Sequence, residues 1–337
     1  MWLPELNESA LRDKLNPLYV EGYNNRHEDP ERWQQLLDET ASWLWPSVMA
    51  PILEAIEGQP EVVLIPGDIL PFAPLHAAWT TDDAQPTGRK YAADGVVFRY
   101  VPSARAWLYI ADRTRILPEA VLCVQEPSPA TVEPLPNAHL EVSAVVAKFP
   151  AARVLAGADA EASRVAAELA NVSLAHFACH AFANMKEPLE GGLIMSGDAV
   201  LSLSQVFSMQ LTRLRLAVLS ACETGVMGQM LPDEAVGLPT GLMQAGVPGV
   251  VASLWSVPDI STALLMAKFY DLWPGPDMSP ARGLNEAQKW VRETTNGDMA
   301  KHLRGRSPLF KELILRDPDS RDFSAVADWA AFYVTGG

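Results

Sequence analysis

Short apolar runs recur along this chain and alternate with segments of helical periodicity, and this alternation limits the folds that the chain can adopt. Uninterrupted short apolar runs are typical of strands buried on both faces of a sheet. The runs are 62–65, 96–100, 120–124, 153–155, 174–178, 216–219, 250–254 and 332–334. Helical patterns cover 138–148, 160–169, 238–245, 261–272 and 279–293. This order favours a largely parallel central sheet with helices on both faces.

The first 58 residues have a different pattern, with apolar side chains at helical spacing. Trp33 and Trp43 belong to this stripe, and aromatic residues at such spacing usually pack in a core. We therefore predict a helical N-terminal lead-in over 1–58 that packs on a main domain over 59–337. Within that domain, PFAPLHAAW (71–79) predicts the start of a helix, and the Pro-rich segment 125–136 predicts a surface loop.

Composition restricts the classes of function. The 337 residues are 49% hydrophobic, which is enough for a sizeable core. Lys and Arg number 26 against 41 Asp and Glu, a net charge of −15, so the average surface repels nucleic acid and anionic membranes. We expect neither as a partner.

Cysteine usage and the N-terminus predict a cytoplasmic location. Cys123, Cys179 and Cys222 form neither an even disulfide set nor a C-x-x-C pair, which is typical of a reducing compartment. The N-terminus carries charges and a proline where a signal peptide needs an apolar core, and no stretch reaches about 18 apolar residues.

Two of the predicted strands end near residues that can react. The run 216–219 leads to Cys222, and the run 174–178 leads directly to Cys179 and His180. Ligands bind at the carboxyl ends of strands in open α/β sheets, because the loops there converge over a crevice. If the two strands are neighbours, the His180 imidazole can reach the Cys222 thiol. A histidine in that position favours the reactive thiolate and can later protonate a leaving amine.

Two other interpretations fit the same residues. Cys222 and His180 can be a buried cysteine and a hydrogen-bonded histidine without a catalytic role. His176, Cys179, His180 and Cys222 also offer four nitrogen or sulfur ligands for zinc. However, successive strand residues face opposite sides, which separates Cys179 from His180, and no C-x2-C spacing is present. Spacing alone leaves these alternatives open.

Several segments resemble the CHAT domain family, a group of caspase-like domains related to separases and often found with tetratricopeptide repeats. The strongest are LAHFACHAF (174–182), LAVLSACETG (216–225), GLMQAGVPGVVASLWSVPD (241–259) and DWAAFYVTG (328–336). Weaker similarity is present in LIPGDILPFAPLHAAW (64–79) and ARVLAGADA (152–160). SACETG and ASLWSVPD are the specific strings, and the resemblance extends from Val62 to the end.

The resemblance implies a caspase-like three-layer α/β/α sandwich and a cysteine endopeptidase with a Cys-His dyad and no cofactor or metal. The family's nucleophile and histidine correspond to Cys222 and His180. In relatives the residue after the histidine is often glycine, and its backbone N–H forms the oxyanion hole together with that of the nucleophile. Here the residue is Ala181, which still offers an N–H. If the position needs φ above zero, alanine costs about 1 kcal/mol or more.

The resemblance also suggests a substrate pocket. Separases carry a Trp followed by an Asp beyond their cysteine at a similar distance to Trp255 and Asp259. Trp255 is then a pocket wall, and Asp259 pairs with a basic P1 side chain. Asp259 equally fits as the N-cap of the following helix. Asp233 and Glu234 are a further acidic pair, which fits a helix start better than a ligand site.

We therefore expect a cysteine endopeptidase that cleaves a protein substrate, with a basic residue at P1. CHAT-type proteases are often coupled to a sensor, and this chain contains no repeats of its own. We expect an activating partner such as a tetratricopeptide-repeat protein, or a sensor beyond this sequence. Two alternative functions are a caspase-like binding module with little hydrolysis and a zinc hydrolase.

Overall fold

A central eight-stranded sheet organises the computed structural model, which describes residues 3, 6–110, 118–182, 184, 187–220, 237–274, 278–305 and 307–337. The strands within those ranges are β1 (Glu61–Leu64), β2 (Trp79–Thr81), β3 (Arg89–Tyr91), β4 (Val97–Tyr100), β5 (Val121–Pro127), β6 (Arg153–Gly157), β7 (Leu174–Ala178), β8 (Ala181–Phe182), β9 (Gly192–Ile194), β10 (Val200–Ser202), β11 (Leu216–Leu219), β12 (Gly249–Ser253) and β13 (Phe332–Gly336). The main sheet has the order β1-β4-β13-β12-β11-β7-β5-β6, and β10-β9-β8 and β2-β3 form small sheets.

The main sheet is mostly parallel, as the sequence predicts. Each neighbouring pair of its strands is parallel except β12 with β13. The strands β12, β11, β7, β5 and β6 therefore point one way, and β1, β4 and β13 point the other. We call the edge where the first five strands end the carboxyl edge. The described loops after β5, β7 and β12 begin at this edge.

Helices cover both faces of the sheet. Their bounds in the described part of the chain are α1 (Glu8–Asn16), α2 (Pro30–Leu44), α3 (Ala50–Ala55), α4 (Ala104–Ile110), α5 (Ala138–Lys148), α6 (Ala162–Leu169), α7 (Leu203–Ser208), α8 (Leu238–Gln244), α9 (Asp259–Leu272), α10 (Pro280–Glu293), α11 (Asn296–Leu303), α12 (Phe310–Leu313) and α13 (Val326–Trp329). Two π-helical turns, Pro17–Tyr23 and Trp45–Met49, extend α1 and α2. No helix of these ranges is long and apolar enough to cross a membrane.

Alternate residues of the buried strands pack into two separate cores. Leu216 and Val218 of β11 lie in the core beneath α5, α9 and α10, which we call the first layer. Ala217 and Leu219 lie in the core beneath α6, α7 and α8, the second layer. Because strand side chains alternate between faces, the all-apolar run predicted for β11 is what a strand covered on both sides requires. The fold is an α/β/α sandwich.

The N-terminal segment shares the first-layer core. Trp33 of α2 contacts Trp255 edge-on, with ring centroids 5.9 Å apart. The hydroxyl of Tyr23 accepts a hydrogen bond from Ser256 N at 3.1 Å, and the hydroxyl of Tyr19 donates to Phe72 O at 2.7 Å. Trp33 is therefore a core residue, whereas Trp43 is half-buried and packs against the core. The proposed boundary at residue 58 stays a prediction.

Two local predictions differ from the structure. PFAPLHAAW does not start an α-helix: it forms two 3-10 turns, Leu70–Phe72 and Leu75–Ala77, and then enters β2. Its two prolines limit regular backbone hydrogen bonding, which prevents a longer helix. The helix predicted from 261 begins earlier, at Asp259, directly after Pro258.

Candidate active site

His180 lies at the carboxyl edge, two residues beyond the end of β7. β7 and β11 are parallel neighbours, and Phe177 is level with Leu219. His180 follows Phe177 by three residues, and Cys222 follows Leu219 by three residues. Cys222 itself lies outside the described residues. The described strands therefore end level with each other at the same edge, and the two positions follow them in the sequence by the same number of residues.

The His180 imidazole is half-buried and makes a hydrogen bond to the backbone. Its Nε2 lies 2.7 Å from the carbonyl oxygen of Glu133, in the loop between β5 and α5. A carbonyl oxygen only accepts, so Nε2 is the protonated nitrogen. In neutral histidine the other nitrogen, Nδ1, then carries a lone pair and can act as a base.

Ala181 has a backbone conformation that suits alanine. It is the first residue of β8 and does not have a positive φ, so the strain that a left-handed alanine would suffer does not arise. Ile194 N of β9 donates to His180 O at 2.8 Å, so the His180 carbonyl points towards β9. Successive residues of a strand direct their polar groups to opposite sides, so the N–H of Ala181 points away from β9. The role of this N–H as an oxyanion donor stays a prediction.

Asp259 is the first residue of α9 and not its N-cap, which is Pro258. Its Oδ2 accepts a hydrogen bond from Asn137 N at 2.7 Å, which ties the start of α9 to the start of α5. Partial burial raises the pKa of Asp259; the Asn137 hydrogen bond opposes the rise, and Glu126 adds to it. The carboxylate therefore lies near a second acidic group at the carboxyl edge, where a cation would stabilise its charged form.

Trp255 lies in the core and not on a pocket wall. It has no exposed surface, and its Nε1 donates to the carbonyl oxygen of Ala327 at 3.1 Å. Its ring is held by Trp33 of the N-terminal segment. A side chain in this position supports the loop that carries Asp259, but it offers no surface to a substrate.

Three of the four residues considered as zinc ligands, His176, Cys179 and His180, are described by the structure, and they do not converge on one site. His176 lies in the first layer, where its Nδ1 is 3.1 Å from the Tyr270 hydroxyl and its Nε2 is 3.4 Å from Glu141 Oε2. Cys179 is buried in the second layer. Burial raises the pKa of Glu141, and the neighbouring His176 opposes that rise. His176 and Glu141 form a buried polar pair beneath the site.

Three of the predicted residues lie outside the described part of the chain, and two residues at or beneath the site have little signal in the sequence. Asp233 and Glu234, like Cys222, lie outside the described residues. Sequence analysis did not single out Glu133, because it acts through a backbone carbonyl that any residue supplies. The only signal was the Pro-rich loop itself. Glu141 could have been found as a lone charge within an apolar helical stretch.

The comparisons with known proteins concern the family and the fold of the chain. A family model described as the CHAT domain matches residues 38–337. No curated protein sequence is significantly similar to the chain.

Two solved gingipain structures have a similar fold. Gingipain R, an Arg-specific cysteine proteinase, has a TM-score of 0.50 and 10% identity over 86% of this chain and 66% of its own. The complex of the pro- and mature domains of Porphyromonas gingivalis RgpB gives 0.52 and 10%, over 86% and 68%. Saccharomyces cerevisiae separase bound to securin gives 0.49 and 12%, over 81% and 15%. At 10% identity, the similarity to the gingipain structures shows a shared fold and nothing about activity.

Proposed function

Because the chain belongs to the CHAT domain family, we propose that it is a cysteine endopeptidase with a catalytic dyad of Cys222 and His180. The observation that carries the proposal is the His180 imidazole at the carboxyl edge, with its Nε2–H donated to Glu133 O at 2.7 Å. This bond selects the tautomer whose Nδ1 can accept the thiol proton. The equal offsets of His180 and Cys222 from paired residues of β7 and β11 also support the dyad.

The chemistry proceeds through an acyl-enzyme. Nδ1 of His180 takes the thiol proton, and the Cys222 sulfur attacks the substrate carbonyl carbon. The N–H groups of Cys222 and Ala181 stabilise the oxyanion. When the C–N bond breaks, the imidazolium gives its proton to the leaving amine. A water molecule, deprotonated by Nδ1, then hydrolyses the thioester and restores the thiol.

We propose that the substrate is a protein cleaved after a basic P1 residue. Asp259 and Glu126 put two acidic groups at the carboxyl edge, and desolvated carboxylates bind guanidinium groups with good geometry and charge. Gingipain R, which is similar in fold, is Arg-specific by its name. Asp259 is the residue that we assign to P1 recognition.

We also propose that an activating partner, such as a tetratricopeptide-repeat protein, raises a low basal activity. The support is the family resemblance together with the absence of repeats in this sequence. Turnover of a peptide substrate by the isolated chain is expected to be slow and to rise when the partner is added. High constitutive turnover by the isolated chain would contradict this.

The test is a peptide library incubated with the wild-type protein, with and without candidate partners, and with Cys222→Ala and His180→Ala. We expect cleavage after Arg or Lys that falls by about 10³-fold in either variant, because residues of a catalytic unit are not individually dispensable. Cleavage sites are read by mass spectrometry.

Cys123→Ala is the matched control. Burial raises the pKa of the Cys123 thiol to about 12, so it is a poor nucleophile and its loss should leave cleavage unchanged. Cleavage that persists in Cys222→Ala would exclude that residue as the nucleophile. No cleavage under any condition would favour the binding module.

A further inference from the structure

The loop between β5 and α5, residues 128–137, crosses the carboxyl edge and carries the carbonyl that contacts His180. It is held at both ends by groups from opposite layers of the sandwich. On the second-layer side it contacts the turn between β9 and β10, whose strands pack there through Leu193 and Leu201. On the first-layer side it contacts Asp259 at the start of α9. The Glu133 carbonyl lies between these two attachments.

Three carboxylates accept hydrogen bonds from backbone N–H groups of this loop. Asp198 accepts from Thr131, Glu126 accepts from Leu135 at 3.0 Å, and Asp259 accepts from Asn137. Hydrogen bonds from a backbone N–H to a carboxylate are stronger than neutral ones. Two of these N–H groups, those of Thr131 and Leu135, lie two residues on either side of Glu133, so these bonds hold the loop on both sides of its carbonyl.

The attachment at Asp198 is the most extensive. Both the N–H and the Oγ1 of Thr131 donate to Asp198 Oδ1, at 2.7 and 3.1 Å. The neighbouring Gly197 N–H donates to Pro129 O at 2.7 Å. Asp198 has a φ of 57°, a left-handed conformation that is uncommon outside glycine. The turn therefore keeps a strained aspartate where its carboxylate meets the loop.

We propose that Asp198 is a positioning residue for the dyad: by holding Thr131 it keeps the Glu133 carbonyl against His180 Nε2. This inference rests on the proposed function. The carbonyl stabilises the imidazolium that forms when Cys222 loses its proton, so the hold on the loop increases the fraction of reactive thiolate. Asp259 makes a similar contact, but it also belongs to the proposed P1 pocket. Asp198 holds the loop from the β9–β10 turn and does not belong to that pocket. Variants of Asp198 therefore test the positioning of the loop without changing P1 recognition.

The test measures the rate of Cys222 alkylation by iodoacetamide against pH in the full chain, with the modified residue located by mass spectrometry. Asp198→Gly removes the acceptor without backbone strain, because glycine adopts positive φ freely. We expect its alkylation rate at pH 6, relative to that at pH 9, to fall about fivefold. Asp198→Asn keeps a neutral acceptor and tolerates the same φ, so its alkylation rate at pH 6 should fall less than that of Asp198→Gly. Thr131→Val, which loses only the Oγ1 bond, should give a smaller change in the same direction.

Asp68→Gly is the matched control, since Asp68 has a φ of 52° and follows β1, whose carboxyl end points to the opposite edge. It should leave the alkylation profile unchanged, and thermal unfolding compares the stability of all variants. If His180→Ala changes the alkylation profile and Asp198→Gly leaves it unchanged, the positioning role of Asp198 is overturned and the dyad stands. A wild-type profile identical to that of His180→Ala overturns the dyad itself.

Discussion

Burial shifts the pKa of two ionisable side chains in the core, His76 and Asp328, in opposite directions. His76 donates from Nε2 to Ala330 O at 2.9 Å and accepts at Nδ1 from the Tyr100 hydroxyl at 3.0 Å. Burial lowers its pKa to about 4, so it is neutral at physiological pH. The stability that depends on neutral His76 is present above pH 6.5 and is lost as pH falls through about 4.

Asp328 has the opposite pH dependence. It accepts a hydrogen bond from Ser261 Oγ at 2.7 Å, and burial raises its pKa from 3.8 to about 6; Arg316 opposes the rise and Asp322 adds to it. The folded protein binds this proton more tightly than the unfolded chain. The stabilising effect is therefore complete below pH 3.8 and lost as pH rises through about 6.

Asp328→Asn should consequently stabilise the protein at pH 8, by about 2 kcal/mol, because it removes the buried charge and keeps the acceptor for Ser261. Urea unfolding at pH 4 and pH 8 measures the effect, which should be much smaller at pH 4. A change of equal size at both values would show that the charge of Asp328 is not its cause.

Asp259 permits a substitution that separates charge from hydrogen bonding. Asp259→Asn removes the charge but keeps an oxygen acceptor for Asn137 N. We expect kcat/KM for substrates with Arg at P1 to fall by about 10²-fold, while substrates with a neutral P1 residue change little. An equal loss for both classes would assign Asp259 to loop positioning only.

At the scale of elements, the small sheet β8-β9-β10 connects the residue after His180 to the turn that holds the β5–α5 loop. Gly192 of β9 pairs with Phe182 on one side and Ser202 on the other. A Cβ at this position would lie 2.3 Å from Leu201 O and 2.8 Å from Ser202 Cα, both backbone atoms. The close approach of β9 and β10 therefore requires glycine.

Gly192→Ala should separate these strands and lower the free energy of unfolding by about 2 kcal/mol or more. It should also shift the Cys222 alkylation profile in the same direction as Asp198→Gly. Gly95→Ala is the matched control, since a Cβ there meets no atom within 4 Å. Normal stability and alkylation in Gly192→Ala would contradict the role of this sheet.

At the scale of the whole molecule, the N-terminal segment and the sheet share one core. Trp33 and Trp255 contact each other edge-on, and both belong to the first-layer cluster. Arg89 after the β2–β3 turn also pairs with Asp38 of α2 at 2.5 Å. Shared burial of this kind predicts that the lead-in and the sandwich unfold together.

Trp33→Ala should therefore destabilise the whole chain, by about 3–5 kcal/mol, in a single transition. Thermal unfolding followed by tryptophan fluorescence and by far-ultraviolet circular dichroism should give coincident curves. Trp43→Ala, at a half-buried position of the same helix, is the control and should cost less. Two separate transitions would show that the lead-in is an independent unit.

Strands and helices with a strong local pattern could be predicted, and short or irregular ones could not. The run 216–219 and the helix 138–148 match β11 and α5 residue for residue. β8, β9 and β10 have two or three residues each, too few for a pattern to emerge. PFAPLHAAW does not form the predicted helix, because its apolar content indicates only burial, whereas its backbone conformation depends on the two prolines and on contacts with α2 and α13.

The sequence by itself determined the α/β/α class, the family and the placement of His180 just beyond the end of β7, because these depend on local periodicity and on motifs. Only the tertiary structure decided that Trp255 is a core residue, that Ala181 is unstrained, and that Glu133 O is the partner of His180. These facts depend on pairs far apart in the chain, such as Thr131 with Asp198 and Asn137 with Asp259. A backbone carbonyl and a hydrogen bond between distant loops have no local sequence signature, so folding alone brings them together.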